Sequence, residues 1–244
     1  MSSPAADPAA AGPDGARGPD TGSAAASLVG GAADARRLAA DSLAAGDPTG
    51  WFETLYAASR AGNAVVPWDV AEPSARLRAL DLPPGAGRRA LIVGCGPGRD
   101  AEHVAALGYT TTAFDISATA IDLARERHPG SPVTYTVADL LDPRPDWRHA
   151  FDLVLESNNV QALPTGIRAA AIPAIGGFVA PGGTLIVLAA ATTRIDSDGS
   201  GPPWPLTRAE IDAFAIGGLR PVSVDQVNAA GTTLPTRWQA IYRR

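Results

Sequence analysis

Leu91-Ile-Val-Gly-Cys-Gly-Pro-Gly98, followed by Arg99 and Asp100, decides how this chain is read. A short apolar run enters a cluster of glycines and a helix-compatible segment leaves it, so a strand feeds a helix through a tight turn. In open α/β sheets that junction is where nucleotides bind. Gly94, Gly96 and Gly98 allow a tight turn and a close backbone approach to a ligand, although glycine-rich turns also form without one. The dinucleotide fingerprint needs a further glycine three residues after the second. Arg99 stands there, so the spacing suits a ligand without a pyrophosphate and argues against a nicotinamide oxidoreductase.

Outward from this turn, strands and helices alternate. The patterns predict strands over residues 90–93, 109–114, 133–137, 151–155, 184–189, 221–227 and 237–242. Helices are predicted over 99–107, 117–127 with Ser117 as N-cap, 166–179 despite Pro173, and 207–215. The last starts on a capping box, Thr207 with Glu210. A Pro181-Gly-Gly turn is expected before the fifth strand. Such alternation predicts an α/β fold, Rossmann-like, with a mostly parallel seven-stranded sheet, helices on both faces and an antiparallel last strand. Upstream, helices are expected near 32–45, 51–61 and 74–80. Residues 1–30 are nearly all Ala, Gly, Pro, Ser and Asp, and no aromatic precedes Trp51, so this tail is expected to be disordered. The domain then runs over 31–244, with 31–80 as a helical cover and 88–244 as the α/β core.

Composition narrows the function. The 244 residues carry 25 acidic and 20 basic side chains, and every basic one is Arg. A Schiff-base or P-loop lysine is therefore excluded, and an acidic chain is a poor non-specific nucleic-acid binder. The single cysteine, Cys95, excludes an internal disulfide and a cysteine-built zinc site, fits a cytoplasmic protein, and leaves no metal site in view. The N-terminus has no secretory-signal pattern. The most apolar stretch, 169–191, is broken by prolines and glycines, so no membrane span is expected.

Polar residues recur at the predicted carboxyl ends of successive strands. Asp115 can take both hydroxyls of a ribose, or serve as a helix N-cap acid. Asp139 can receive an exocyclic amine or simply form a turn. Glu156, with Ser157, Asn158, Asn159 and Gln161, falls where such folds keep their active sites, or forms a solvated loop. Four such features in register are less readily accidental than any one alone.

The order Gly-Cys-Gly-Pro-Gly, Phe-Asp-Ile-Ser, Ala-Asp-Leu, Phe-Asp-Leu-Val, Pro-Gly-Gly resembles the class I S-adenosylmethionine-dependent methyltransferases over about residues 88–190. Trp51-Phe-Glu-Thr-Leu-Tyr56, Val66-Pro-Trp-Asp69 with Pro73, and the stretch from Gly201 to Ile211 are similar to the thiopurine S-methyltransferase family and its halide/thiol methyltransferase relatives. The resemblance implies S-adenosylmethionine as cofactor and a small-molecule acceptor, possession of a thiol or other soft nucleophile being favoured over an O- or N-acceptor. It implies that Gly94, Cys95, Gly96, Gly98 and Asp100 border the cofactor and that Asp115 binds the ribose with Ile116 on adenine. It further implies that Asp139 and Leu140 frame the adenine edge, that Glu156 and Ser157 flank the sulfonium, and that Trp51, Tyr56 and Trp68 belong to the cover. An acid common in class I enzymes two residues before the first glycine is replaced here by Ile92, as in the thiopurine-like branch.

The implied chemistry is in-line methyl transfer, with the nucleophile held at roughly 3–3.5 Å from the methyl carbon. A dry aromatic cover serves an anionic nucleophile, and Trp51, Tyr56, Trp68 and Trp204 are the candidates, each with core packing as its alternative role. No catalytic residue is assigned. His103, His128 and His149 lack the setting of a general base, while Asp69 and Glu156 are better placed. A non-catalytic cofactor-binding scaffold is the reading from another class. The sequence leaves the oligomeric state open and is compatible with a monomer.

Overall fold

The computed structural model describes Met1 and residues 21–192, 201–228 and 236–244, the side chains of 21–29 excepted. Seven strands form one sheet: β1 Arg89–Val93, β2 Thr110–Asp115, β3 Thr134–Val137, β4 Phe151–Ser157, β5 Val179–Ala190, β6 Arg220–Val227 and β7 Arg237–Arg243. Their order is β3-β2-β1-β4-β5-β7-β6. β1 pairs in parallel with both β2 and β4, and β7 alone runs antiparallel, inserted between β5 and β6. The chain leaves β1 toward β2 on one side and reaches β4 on the other, so a crevice opens above the carboxyl end of β1.

β1 is buried on both faces. Leu91 and Val93 join one core with Phe114, Trp147 and Phe178. Ala90 and Ile92 join the opposite core with Val104, Ile121 and Leu155. A strand covered on both faces reads as a continuous apolar run, which is how residues 90–93 appear in sequence. The helices α4 Arg99–Ala106, α5 Ala118–Arg127 and α6 Thr165–Phe178 pack on the sheet, and α7 Arg208–Asp212 starts on the expected capping box of Thr207 and Glu210. A third cluster, of Trp51, Leu55, Tyr56, Val66 and Trp204, is built around α1 Thr21–Ala44 and α2 Gly50–Arg60. The short α3, Ala75–Ala79, follows.

Two elements differ from the sequence pattern. α1 begins at Thr21, inside the stretch expected to be disordered, its alanines favouring helix; residues 2–20 of that stretch lie outside the described residues. β5 begins at Val179, where the sequence suggests the end of a helix and a Pro181-Gly-Gly turn. The turn is absorbed as an irregularity: the β4–β5 register shifts between Phe151 and Leu153, and Gly182 and Gly183 exchange backbone hydrogen bonds with Arg244.

Candidate functional site

The loop after β1 is fastened to the tip of β2. Cys95 N–H donates to the Phe114 carbonyl at 2.8 Å, and Gly96 N–H donates to Asp115 Oδ2 at 2.9 Å. Asp115 Oδ1 accepts from Ser117 N–H at 2.9 Å. Gly94 and Gly96 have φ of 55° and 51°. A Cβ on Gly96 would stand 2.7 Å from Tyr56 Oη, and one on Gly94 would overlap the Asn159 side chain. Neither position admits a side chain without moving its neighbour.

Asp115 is 7% exposed. Burial raises its pKa, against the pull of the Ser117 and Gly96 amides, while the charge of Glu53 adds to the rise. It is not the N-cap of α5. Ser117 fills that role, its Oγ accepting from Ala120 N–H at 3.0 Å and donating to Glu53 at 2.6 Å.

Two adjoining cavities open above the strand tips. The larger, of about 430 Å³, is lined among others by Tyr56, Trp68, Gly94, Cys95, Gly96, Asp100, Asp115 and Ser157. The smaller, of about 60 Å³, is lined by Ile116, Asp139, Leu140 and Leu141 along with Gly94 and Asp115. Phe52, Val93 and Asn159 border both. With both cavities taken together, nine of the eleven cofactor positions singled out in sequence (all but Gly98 and Glu156) and two of the four cover candidates, Tyr56 and Trp68, line this space.

Glu156 is completely buried and lines neither cavity. Its Oε1 accepts from Asn159 and Val160 N–H at 2.7 and 2.9 Å, bracing the turn after β4, and its Oε2 has no partner among the described residues. Burial pushes its pKa up to about 7. Gly98 is the N-cap of α4 and lies against Tyr135, whose hydroxyl donates to the Gly98 carbonyl at 3.4 Å. Trp51 and Trp204, 1% and 6% exposed, sit in the cluster behind the cavities and line neither. Asp139 Oδ1 accepts from Leu141 N–H at 2.8 Å, so it forms the turn while also bordering the smaller cavity. Burial and the nearby Asp115 charge raise the Cys95 pKa well above its ordinary value, which keeps the thiol protonated.

The segment after α2 is clamped at several points. Trp68 Nε1 donates to Tyr56 Oη at 2.8 Å. Arg99 donates to the carbonyls of Trp68 (2.5 Å) and Val70 (3.3 Å). Arg127 grips Asp69 through two hydrogen bonds, of 2.5 and 2.7 Å. Ser74 N–H donates to Asp100 Oδ1 at 2.8 Å. Phe52, Arg127 and Arg237 were not singled out in sequence but all line the larger cavity.

The sheet order, the glycine turn and the acid at the tip of β2 define a class I S-adenosylmethionine-dependent methyltransferase. The chain matches the Methyltransferase domain family over residues 90–183. It resembles the thiol methyltransferases. A "Probable thiol methyltransferase 2" of Arabidopsis thaliana is 29% identical over 156 residues, covering 62% of this chain and 66% of that protein. Thiocyanate methyltransferase 1 of Brassica oleracea is 29% identical over 173 residues, covering 67% and 73%. Among solved structures, the N-methyltransferase NodS from Bradyrhizobium japonicum WM9 in complex with S-adenosyl-L-homocysteine shares the fold with a TM-score of 0.61 at 22% identity, covering 79% of this chain and 98% of that one. A structure from work on the conversion of a disulfide bond into a thioacetal group during echinomycin biosynthesis has a TM-score of 0.62 at 24% identity, covering 79% and 93%.

Proposed function

We propose that this protein moves a methyl group from S-adenosylmethionine to a small acceptor that attacks through a soft atom, a thiolate first of all. The observation that carries the reading is the setting of Asp115. Gly96 and Ser117 N–H each bond one of its oxygens at 2.9 Å, with the Ile116 amide also drawn to the carboxylate, and the outward acceptor positions carry no side-chain donor among the described residues. Such positions on a buried carboxylate match the two vicinal hydroxyls of a ribose. Beside it, the smaller cavity offers Ile116 and Leu140 as apolar walls and Asp139 as an acceptor for an exocyclic amine. The Gly96 backbone, free of a Cβ, supplies close approach on the other side. Bound there, the cofactor supplies an electrophilic methyl group on a sulfonium.

The chain's own groups suit an acceptor that arrives ionised. Asp69 is held by Arg127, Asp100 by the Ser74 amide and Asp115 by two amides. Of the described histidines only His128 reaches the lining, as the C-cap residue of α5. A thiol, with an ordinary pKa near 8.5, ionises without a dedicated base more readily than an alcohol or phenol. Tyr56 and Trp68 line the larger cavity, and an aromatic wall that displaces water favours an anionic nucleophile meeting a cation. Likeness to thiol and thiocyanate methyltransferases supports the same acceptor class. In this reading residues 31–80 are the cover and 88–244 the core, and the enzyme works in the cytoplasm on a small molecule. No described helix is long and apolar enough to cross a membrane.

Calorimetry with S-adenosylhomocysteine, then a labelled-methyl assay over thiols, phenols and amines, tests the reading. Binding of the homocysteine compound with transfer to thiols is expected. Absence of that binding, or transfer to phenols or amines in preference to thiols, overturns it.

A further inference from the structure

We propose that the acceptor carries an anionic group, a carboxylate in the first instance, and that Arg237 holds it. The inference rests on the methyl-transfer reading and adds the charge of the substrate to it. Arg237 is the first residue of β7 and pairs with Ala190 at the end of β5. Because β7 runs against the other strands, its beginning stands at their carboxyl ends, two residues beyond the level of Ser157. The Arg237 side chain is partly buried and lines the larger cavity.

The other guanidinium groups of that cavity are matched. Asp69 meets Arg127, and Arg99 spans two carbonyls with Asp100 3.7 Å away. Arg237 makes one neutral hydrogen bond, to Asn158 Oδ1 at 3.4 Å, and no ion pair among the described residues. A guanidinium carries five N–H donors in a planar fork that fits a carboxylate through two parallel bonds. Here most of that fork is unused among the described residues, and a partly water-excluded cavity strengthens the attraction between the guanidinium and an anion paired with it.

A second cation points the same way. Arg76, on α3, is close enough to Arg237 that, after burial, the like charge of Arg237 lowers the Arg76 pKa. Burial lowers that of Arg237 too. Arg76 does not line the cavity itself, but its like charge beside Arg237 is relieved when Arg237 pairs with an anion.

S-adenosylmethionine has a carboxylate of its own, so the source must be distinguished. The cofactor cradle lies at the tips of β1 and β2. β7 is three strand spacings from β1, roughly 14 Å at the usual inter-strand distance. That separation favours the acceptor.

The test uses the full chain and pairs of thiols that differ only in charge, such as 3-mercaptopropionate with 3-mercaptopropionamide and an aromatic pair. Wild-type kcat/KM is expected to favour each acid by about tenfold or more, the scale of a charge-assisted pair. In Arg237→Gln that preference collapses toward one, mainly through the KM of the acid, and Arg237→Lys keeps part of it. S-adenosylhomocysteine affinity stays within about threefold, measured by calorimetry on protein whose unfolding midpoint is checked. Equal kcat/KM for acid and amide in the wild type overturns the proposal and leaves methyl transfer to thiols standing. Weaker binding of S-adenosylhomocysteine but not of 5′-methylthioadenosine in Arg237→Gln also overturns it, assigning the arginine to the cofactor. Failure to methylate any thiol of the panel overturns the thiol reading and this one with it.

Discussion

Replacing Asp115 by Ala removes the carboxylate proposed to hold the ribose, and the structure sets the scale of the loss. Beyond the backbone amides it serves, its outward acceptor positions carry no side-chain donor among the described residues. A hydrogen bond to a charged group contributes about 1.5–3 kcal/mol, so two contribute about 3–6 kcal/mol. At about 1.4 kcal/mol per decade, S-adenosylhomocysteine binding should weaken between about a hundredfold and ten-thousandfold. The same substitution orphans two buried amides, each costing about 1–3 kcal/mol unless water enters the space. Thermal unfolding must therefore accompany calorimetry. Asp115→Asn, nearly isosteric, separates the loss of charge from the loss of volume. Burial raises the Asp115 pKa, and only the ionised form offers both acceptors, so wild-type affinity should fall on acidification at a pH above the ordinary carboxylate range. A folded Asp115→Ala protein that binds S-adenosylhomocysteine within about threefold of wild type would refute the reasoning, leaving Asp115 as a brace for its turn.

Glu156→Gln tests the buried acid behind the cavities. Its folded pKa rises from 4.5 to about 7, so the native state binds the extra proton between those values. Stability contributed by that proton is present below pH 4.5 and is lost as pH rises through about 7. The wild-type denaturation midpoint should show that decline, worth about 3 kcal/mol at most, and the Gln variant should lack it. Gly96→Ala should weaken S-adenosylhomocysteine binding at least tenfold, since alanine at positive φ costs about 1–2 kcal/mol before its contact with Tyr56 Oη. Adding Tyr56→Phe removes the atom 2.7 Å from the new Cβ and should restore part of the affinity in calorimetry. Arg99→Ala should speed amide exchange at Asp69 and Val70 about tenfold by freeing the cover, with little change in melting temperature. Unchanged exchange would show that the Arg127–Asp69 pair suffices to hold the cover.

What could be read in the sequence followed from local patterns that burial on two faces imposes. The run ending at Val93 and the acid at Asp115 fall where a parallel sheet needs them. Ser117 was legible as a cap because a hydroxyl before a helix has that job. The aromatic cover was harder. Trp51, Phe52 and Tyr56 share α2, and helical spacing cannot say which side meets the cavity and which meets α1. Tyr56 and Phe52 reach the cavity, whereas Trp51 turns inward. Glu156 could not be told from a sulfonium neighbour, because its partners are backbone amides, which leave no mark on sequence. Arg237 was invisible for another reason: its place depends on β7 running antiparallel beside β5, a pairing across some fifty residues.

The proposed cover and the proposed cofactor cradle are joined through α2. Burial pushes the Glu53 pKa up, but hydrogen bonds from Ser117 and Thr119 outweigh it and hold the carboxyl below its ordinary value. Glu53 accepts from Ser117 Oγ at 2.6 Å and from Thr119 N and Oγ1 at 3.1 and 2.6 Å, so it lies at the positive end of the α5 dipole. Three residues on, Tyr56 rests against Gly96 and takes the Trp68 indole hydrogen bond. One helix thereby registers against the turn after β2 and the turn after β1 at once. Any shift of α2 that opened the cavity would strain the Glu53 bonds beside Asp115, so the ribose binding and the aromatic cover proposed here would draw on the same contacts.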